Sequence, residues 1–237
     1  MANFYNEYIL KKAEEYGFGE PTKSNWINYM MNDVLRGENL LNVIMRNCNN
    51  SLSEKDRALD IGCAFGGMLI ALKKFFKEID GIEIVKDRVQ WAKIRCKEAN
   101  IIHGNATKLP WPDSHFNLVL CSDVLEHVQF DQQQIIATEL MRVLKPGGCG
   151  FIQVPNRFQL MDEHNKVFFA TFLPKPLRYL YVKALGSNRN YLHCYELSGK
   201  GWKHLFKSKK FKLKIEPYAY YKGKHFFPPQ RFNIHLH

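Results

Sequence analysis

No stretch of this 237-residue chain reaches the roughly 18 uninterrupted apolar residues that a membrane span needs. The nearest approach, Val167 to Leu185, is broken by Pro174, Lys175, Pro176, Arg178 and Lys183. The opening residues, Met1 to Tyr8, lack the basic-then-apolar pattern of a signal peptide. The six cysteines (48, 63, 96, 121, 149 and 194) include no C-x-x-C pair. They read as reduced, mostly buried thiols of a cytoplasmic protein, with no zinc or disulfide framework expected. There is no internal repeat and no low-complexity tract, and 46% hydrophobic with 24% charged residues excludes a disordered chain.

Acid is scarce in one region only. Residues 151–237 carry 16 Lys+Arg against 4 Asp+Glu, whereas residues 1–150 carry 18 against 19, so the formal charge of +11 comes from the second segment. That segment also holds 18 of the 32 aromatic residues.

Elsewhere, apolar periodicity marks out an alternation of helices and strands. Ile27, Met30, Met31, Val34, Leu40, Leu41, Val43 and Ile44 predict one helix over 25–47, capped by Ser24 and blemished by Gly37. A buried strand is expected over 58–61, then a helix over 67–77, a strand over 79–84, a helix over 88–99 and a brief strand over 101–103. A strongly apolar strand over 116–121 and a helix over 132–143 follow, and Lys145-Pro146-Gly147-Gly148 turns the chain into a strand over 150–154. This order implies a parallel sheet wrapped by helices on both faces, with ligands bound beyond the strand C-terminal ends.

The first strand end reads Asp60-Ile61-Gly62-Cys63-Ala64-Phe65-Gly66-Gly67, a loop that lets backbone approach a ligand closely at a helix start. It has neither the G-x-G-x-x-G of a dinucleotide fold nor the Lys-Ser/Thr of a P-loop. Glu83, ending the second strand, has the carboxylate that accepts two hydrogen bonds from a ribose diol. Gly104-Asn105-Ala106 offers an amide and a backbone N–H to an adenine, and Ser122-Asp123 with His127 follows the fourth strand. Each alone has a plain structural explanation: a tight turn, a solvated acid, an Asn in a turn.

In this order at four successive strand ends they carry a resemblance to the class I S-adenosylmethionine-dependent methyltransferases, particularly the small-molecule branch. The matching stretches are 59–66, 81–83, 104–106, 118–128 and 144–148. The resemblance implies S-adenosylmethionine as cofactor and a Rossmann-like α/β fold: a seven-stranded sheet with helices on both faces, the last strand antiparallel, and a helical lid insert. It implies a cofactor site of Asp60, Gly62, Cys63, Gly66, Glu83, Ile84, Asn105, Ala106, Ser122 and Asp123. Asp60 and Gly62 would shape the methionine end, Glu83 would bind the ribose, Asn105 and Ala106 the adenine, and Ser122 with Asp123 the floor near the methyl group. Two departures stand out. Ala64 replaces a second glycine, which is compatible with close approach at negative φ. Asn105 replaces an Asp, keeping the acceptor oxygen without the charge.

The whole of 1–237 is read as one methyltransferase domain, with a helical cap over 1–50, the cofactor core over 55–155, a lid insert over 156–190 and C-terminal strands over 191–237. The expected reaction methylates an oxygen or nitrogen of a small acceptor, sugar-containing, lipid-linked or anionic. Candidate bases are His164, where the family's chain enters the lid, and His127; no metal is expected. The loop Ser122 to Leu125 lacks the Asn/Asp-Pro-Pro-aromatic pattern of adenine-N6 transferases. Cys121 lacks the proline of cytosine-C5 enzymes, and Glu126 is a single glutamate where arginine transferases have two.

Within the insert, Leu177, Leu180, Tyr181 and Ala184 share one side of a helix started at Pro176. The insert is read either as a packed lid helix or as a patch that meets lipid, which would put a cytoplasmic protein at a membrane periphery. Phe211, Leu213 and Ile215 alternating with Lys212 and Lys214 predict a half-wet strand, returned by a partner over 218–222. The alternatives are an RNA methyltransferase using this basic face, and a cofactor-binding protein without activity.

Overall fold

The computed structural model describes residues 2–17, 22–48, 52–162, 167–185, 194–208, 210–218 and 231–237. Among them run α1 (Ala2–Glu15), α2 (Thr22–Met31), α3 (Asp33–Asn47), β1 (Arg57–Ile61), α4 (Gly67–Lys73), β2 (Glu78–Glu83), α5 (Lys86–Arg95) and β3 (Asn100–His103). Then come β4 (Phe116–Ser122), α6 (Phe130–Val143), β5 (Leu144–Pro155), α7 (Lys175–Ala184), α8 (Gly199–Leu205), β6 (Leu213–Tyr218) and β7 (Arg231–Leu236). The seven-stranded sheet has the order β3-β2-β1-β4-β5-β7-β6. The β1/β2, β2/β3 and β4/β5 pairs are parallel, and β7 is antiparallel to both its neighbours. This is the mixed sheet with an antiparallel last strand that the family resemblance implies. Two compact units divide it, Met1–Ala106 and Thr107–His237.

In the first unit, the strands bury continuous apolar runs, as parallel strands covered on both faces must: Ala58, Leu59 and Ile61 of β1 and Ile79 and Ile82 of β2 are all buried. The single helix expected over 25–47 is two. Asn32 breaks it, its side-chain amide donating to the Asn28 carbonyl at 2.9 Å and so competing for a helix acceptor. Gly37 is no blemish: α3 packs on α4, and a Cβ at Gly37 would lie 3.1 Å from the Gly67 carbonyl oxygen and the Met68 Cα.

In the second unit, Phe116, Leu118, Leu120, Phe151, Ile152 and Ile234 form the sheet's buried centre. The Lys145–Gly148 segment is not a turn before β5 but a bulge within it. Phe116 pairs with Leu144 and Leu118 with Cys149, and Gly147 takes up the distortion at φ +77°. The strand over 213–218 runs straight through Glu216-Pro217, where a turn was expected, and pairs with β7; residues 219–222 of the expected partner lie outside the described residues. Pro217 is tolerated because β6 is the sheet's edge.

Cys63, Cys96, Cys121 and Cys194 are buried free thiols. Cys48 and Cys149 are disulfide-bonded, which corrects the reading of six reduced thiols. Spacing along a chain excludes a C-x-x-C site but does not report which thiols fold to within bonding reach.

Candidate functional site

The first unit gathers six of the expected residues at the ends of β1 and β2. The chain leaves β1 through Gly62, whose N–H donates to the Ile82 carbonyl at 2.8 Å, with Cys63 N–H on the same oxygen at 3.2 Å. Gly66 then caps α4 from the left-handed conformation, φ +84°. Ala64 is left-handed too, at φ +45°, so the condition under which an alanine was compatible here, a negative φ, is not met. The loop demands glycine geometry, and an L-residue bears the strain there.

Glu83 explains how the loop keeps that shape. Its buried carboxylate accepts the Ala64 N–H at 3.0 Å on Oε2 and the Val85 N–H at 2.8 Å on Oε1. Each oxygen retains a further acceptor site, so a diol remains able to donate to both. Beside it, Asp60 is also buried, and no described residue donates to its carboxylate. Burial first, and the Glu83 charge second, push its pKa up from 3.8 to about 8. A buried acid without a donor, facing a second acid, suits a cationic ligand such as an ammonium group, so these residues fit the methionine end of S-adenosylmethionine. Cys63 is buried, its thiol pushed up by that burial and by the two carboxylates, and is no nucleophile. Ile84 is exposed. The Gly104 N–H donates to the Glu83 carbonyl at 3.0 Å, which places Asn105 and Ala106 just beyond the acid; Asn105 is exposed and Ala106 half-buried.

Residues that sequence reasoning missed hold this loop from behind. Arg95 forks onto Asp33 (Nη1–Oδ2 2.5 Å, Nη2–Oδ1 2.8 Å) and donates to the Phe65 carbonyl at 2.7 Å. The Tyr5 ring lies 3.9 Å from the guanidinium, and Tyr5, Ile9 and Phe65 form a buried cluster. A Cβ on Gly67 would fall 2.6 Å from the Asp33 Cγ, so only glycine admits Asp33 to this position. The helices α3 and α5 thus fix the loop through one planar, bidentate ion pair, on which Tyr5 of α1 lies.

The second unit places Ser122 and Asp123 at the end of β4. Ser122 Oγ donates to Gln153 Oε1 at 3.4 Å, and Gln153 Nε2 donates to Asn233 Oδ1 at 3.1 Å. Asp123 sits at φ +58°, its N–H on the Gln153 carbonyl at 3.2 Å and its carboxylate paired with Arg231. Gln153, Arg231 and Asn233 were also missed. Their signal is the alternation in 231–236, where Arg231, Asn233 and His235 share one face and are all buried.

His127 ends a 3-10 turn, Leu125–His127, and is exposed, its Nδ1 3.9 Å from Cys194 Sγ. Gln133 braces this turn, donating to the carbonyls of Leu125 and Tyr195 at 2.8 Å each. His164 lies outside the described residues.

Residues 59–152, from β1 into β5, match the family model described as a methyltransferase domain. Among curated proteins, the chain is similar to a probable S-adenosylmethionine-dependent methyltransferase of Mycolicibacterium smegmatis, 32% identical over 42% of this chain and 38% of that protein. It is also similar to a fatty-acid O-methyltransferase of the same organism, 31% identical over 40% of this chain and 35% of that one. The chain therefore spans little more than a third of the length of either relative. Among solved structures, an S-adenosylmethionine-dependent methyltransferase from Archaeoglobus fulgidus shares the fold, with a TM-score of 0.59 at 16% identity over 88% of this chain and 98% of that one. The matched stretch holds Asp60, Glu83, Asn105, Ser122 and Asp123.

Proposed function

We propose that this chain is an S-adenosylmethionine-dependent methyltransferase acting on an oxygen or nitrogen of a small, lipid-linked or sugar-containing acceptor. The observation that carries the cofactor half is the buried pair Asp60 and Glu83, set around a left-handed loop inside the methyltransferase-domain stretch. Asp60 accepts the cofactor's ammonium group, Glu83 its ribose hydroxyls, and Asn105 with the Ala106 N–H its adenine.

When bound, the cofactor supplies a methyl group on a positively charged sulfur. The transfer needs little acid–base chemistry, and the protein's task is to align an acceptor lone pair and exclude water. The family resemblance assigns Ser122 and Asp123 to the methyl end, and within the second unit Asp123 is held in place by Arg231. A hydroxyl acceptor loses its proton to a base, for which His164 and His127 are the candidates.

The similarity to a fatty-acid O-methyltransferase and the exposed aromatic residues of the insert support a lipid-type acceptor. No described helix is long and apolar enough to cross a membrane; a cytoplasmic protein in peripheral contact with a membrane fits the reading. Calorimetry with S-adenosylmethionine tests the cofactor half. Absent binding, or binding untouched by Glu83→Ala, sinks it. A screen of fatty acids, prenyl phenols and glycolipids with labelled cofactor tests the acceptor half.

A further inference from the structure

The helix α7 is packed inside out. Its buried side carries Val182, which joins Val167 and Ala170 in a small core, and Arg178, which is almost wholly enclosed. The Arg178 guanidinium donates to Asp162 Oδ2 at 2.8 Å and to both Glu196 oxygens at 3.0 Å. With Arg178 and Val182 turned inward, helical spacing puts Leu177, Leu180 and Ala184 on the opposite, outer face. Leu177 is 53% and Leu180 60% exposed. A helix that faces water on its outer side shows the reverse pattern.

The turn before α7 continues the theme. Phe168 and Phe169 are 55% and 54% exposed, and their rings, with those of Phe158 and Phe172, form a chain of contacts 5.5 to 6.4 Å between centroids. Phe169 holds a left-handed backbone, φ +58°, that a bulky residue rarely adopts. Strain of this kind persists only where surrounding structure imposes it. Here the Phe169 N–H is fixed on the Leu160 carbonyl at 2.6 Å.

Charge identifies what such a surface meets. The described residues of 157–185 carry four basic groups and one acidic one, and Arg178 and Asp162 neutralise each other internally, which leaves Arg157, Lys175 and Lys183. Arg157 and Lys175 line the same cleft, Lys175 with its ammonium 3.2 Å from the Tyr195 ring centroid, and Lys183 is exposed beside Tyr179. Apolar and aromatic groups flanked by a surplus of cations complement one partner: a bilayer bearing anionic headgroups, with Phe and Leu entering the acyl boundary and Lys and Arg meeting phosphates.

We propose that the outer face formed by residues 157–162 and 167–185 is a docking surface for anionic phospholipid bilayers. The ion triad at Arg178 is the device that turns the helix's apolar side out. The proposal does not require methyl transfer, and its readout is separate from cofactor binding.

The test is flotation of the full chain with vesicles of phosphatidylcholine alone and of equal parts phosphatidylcholine and phosphatidylglycerol. Binding to the anionic vesicles is expected, weakened severalfold by high salt. Leu177→Ser with Leu180→Ser should lower it at least about tenfold. Lys183→Glu, which leaves the apolar patch intact, should lower it by about tenfold. Unchanged melting temperatures and unchanged S-adenosylmethionine binding in these variants keep misfolding out of the result. No flotation of the parent chain, equal flotation of parent and variants, or a patch-dependent dimer that excludes vesicles would each overturn the proposal.

Discussion

Glu83 and Ala64, nineteen residues apart, are joined by a hydrogen bond from the Ala64 N–H to Glu83 Oε2 at 3.0 Å. The acid proposed to hold the ribose is therefore also the acid that holds the loop after β1. The two jobs are inseparable at this side chain, and that sets the first expectation.

Glu83→Gln should weaken S-adenosylmethionine binding by roughly ten- to a hundredfold, the worth of one or two hydrogen bonds to a charged group. The amide keeps one acceptor oxygen, so it cannot serve both Ala64 and Val85 as the carboxylate does. Calorimetry reads the affinity, and proteolysis of the 62–67 loop in the ligand-free chain reads the loop. Loss of affinity with an unaltered loop would separate the two jobs.

Ala64→Gly should stabilise the chain by about 1 kcal/mol, because it relieves an L-residue at φ +45°. That is a rise in melting temperature of roughly 2–4 °C for a protein of this size. A fall instead would mean that the alanine methyl packs usefully enough to offset the strain.

Asp60 sets a pH dependence with a definite sign. Its folded pKa of about 8 lies above the usual 3.8, so the folded chain holds a proton that the unfolded chain releases. The associated stability is complete below about pH 4 and is lost as pH rises towards 8. Asp60→Asn should flatten that slope, gaining on the parent in thermal melts as pH increases from 5 to about 8. A cationic ligand at Asp60 favours the ionised acid, so cofactor binding at pH 7 should release up to about one proton, read by calorimetry in two buffers of different ionisation enthalpy. Binding with no proton release would remove Asp60 from the cofactor site.

Arg178→Met leaves Asp162 and Glu196 buried without their cation and should cost about 3–5 kcal/mol, measured by urea denaturation. Adding Asp162→Asn and Glu196→Gln should recover most of the loss. Failure to recover would show that the guanidinium's shape, rather than its charge, holds α7.

The strand-end acids were legible because each closes an apolar run just where a parallel sheet presents its ligand edge. Asp60 and Glu83 could be placed before any coordinate was known. The face of α7 was not legible. Periodicity finds an apolar stripe but cannot say whether it points inward; here the decision rests with Asp162, sixteen residues before Arg178, and Glu196, eighteen after it. The strand β7 was hidden for a related reason. Its polar residues look solvent-facing until Gln153 and Asp123, far back in the chain, are seen to receive them. Short-range pattern survives in a sequence; the partner that neutralises a buried polar group does not.

The position of β7 bears on how the second unit comes together. It is the last strand in chain order, yet it lies between β5 and β6 and supplies both their ladders. Until it arrives, β6 has no neighbour in the sheet and one edge of β5 is open. The contacts that seat it close long loops, Gln153 with Asn233 across eighty residues and Asp123 with Arg231 across 108. Loop closure of that length is slow relative to local structure. Assembly of this sheet should be the late, rate-limiting event in folding, and the interval before it the time when the chain is most open to aggregation.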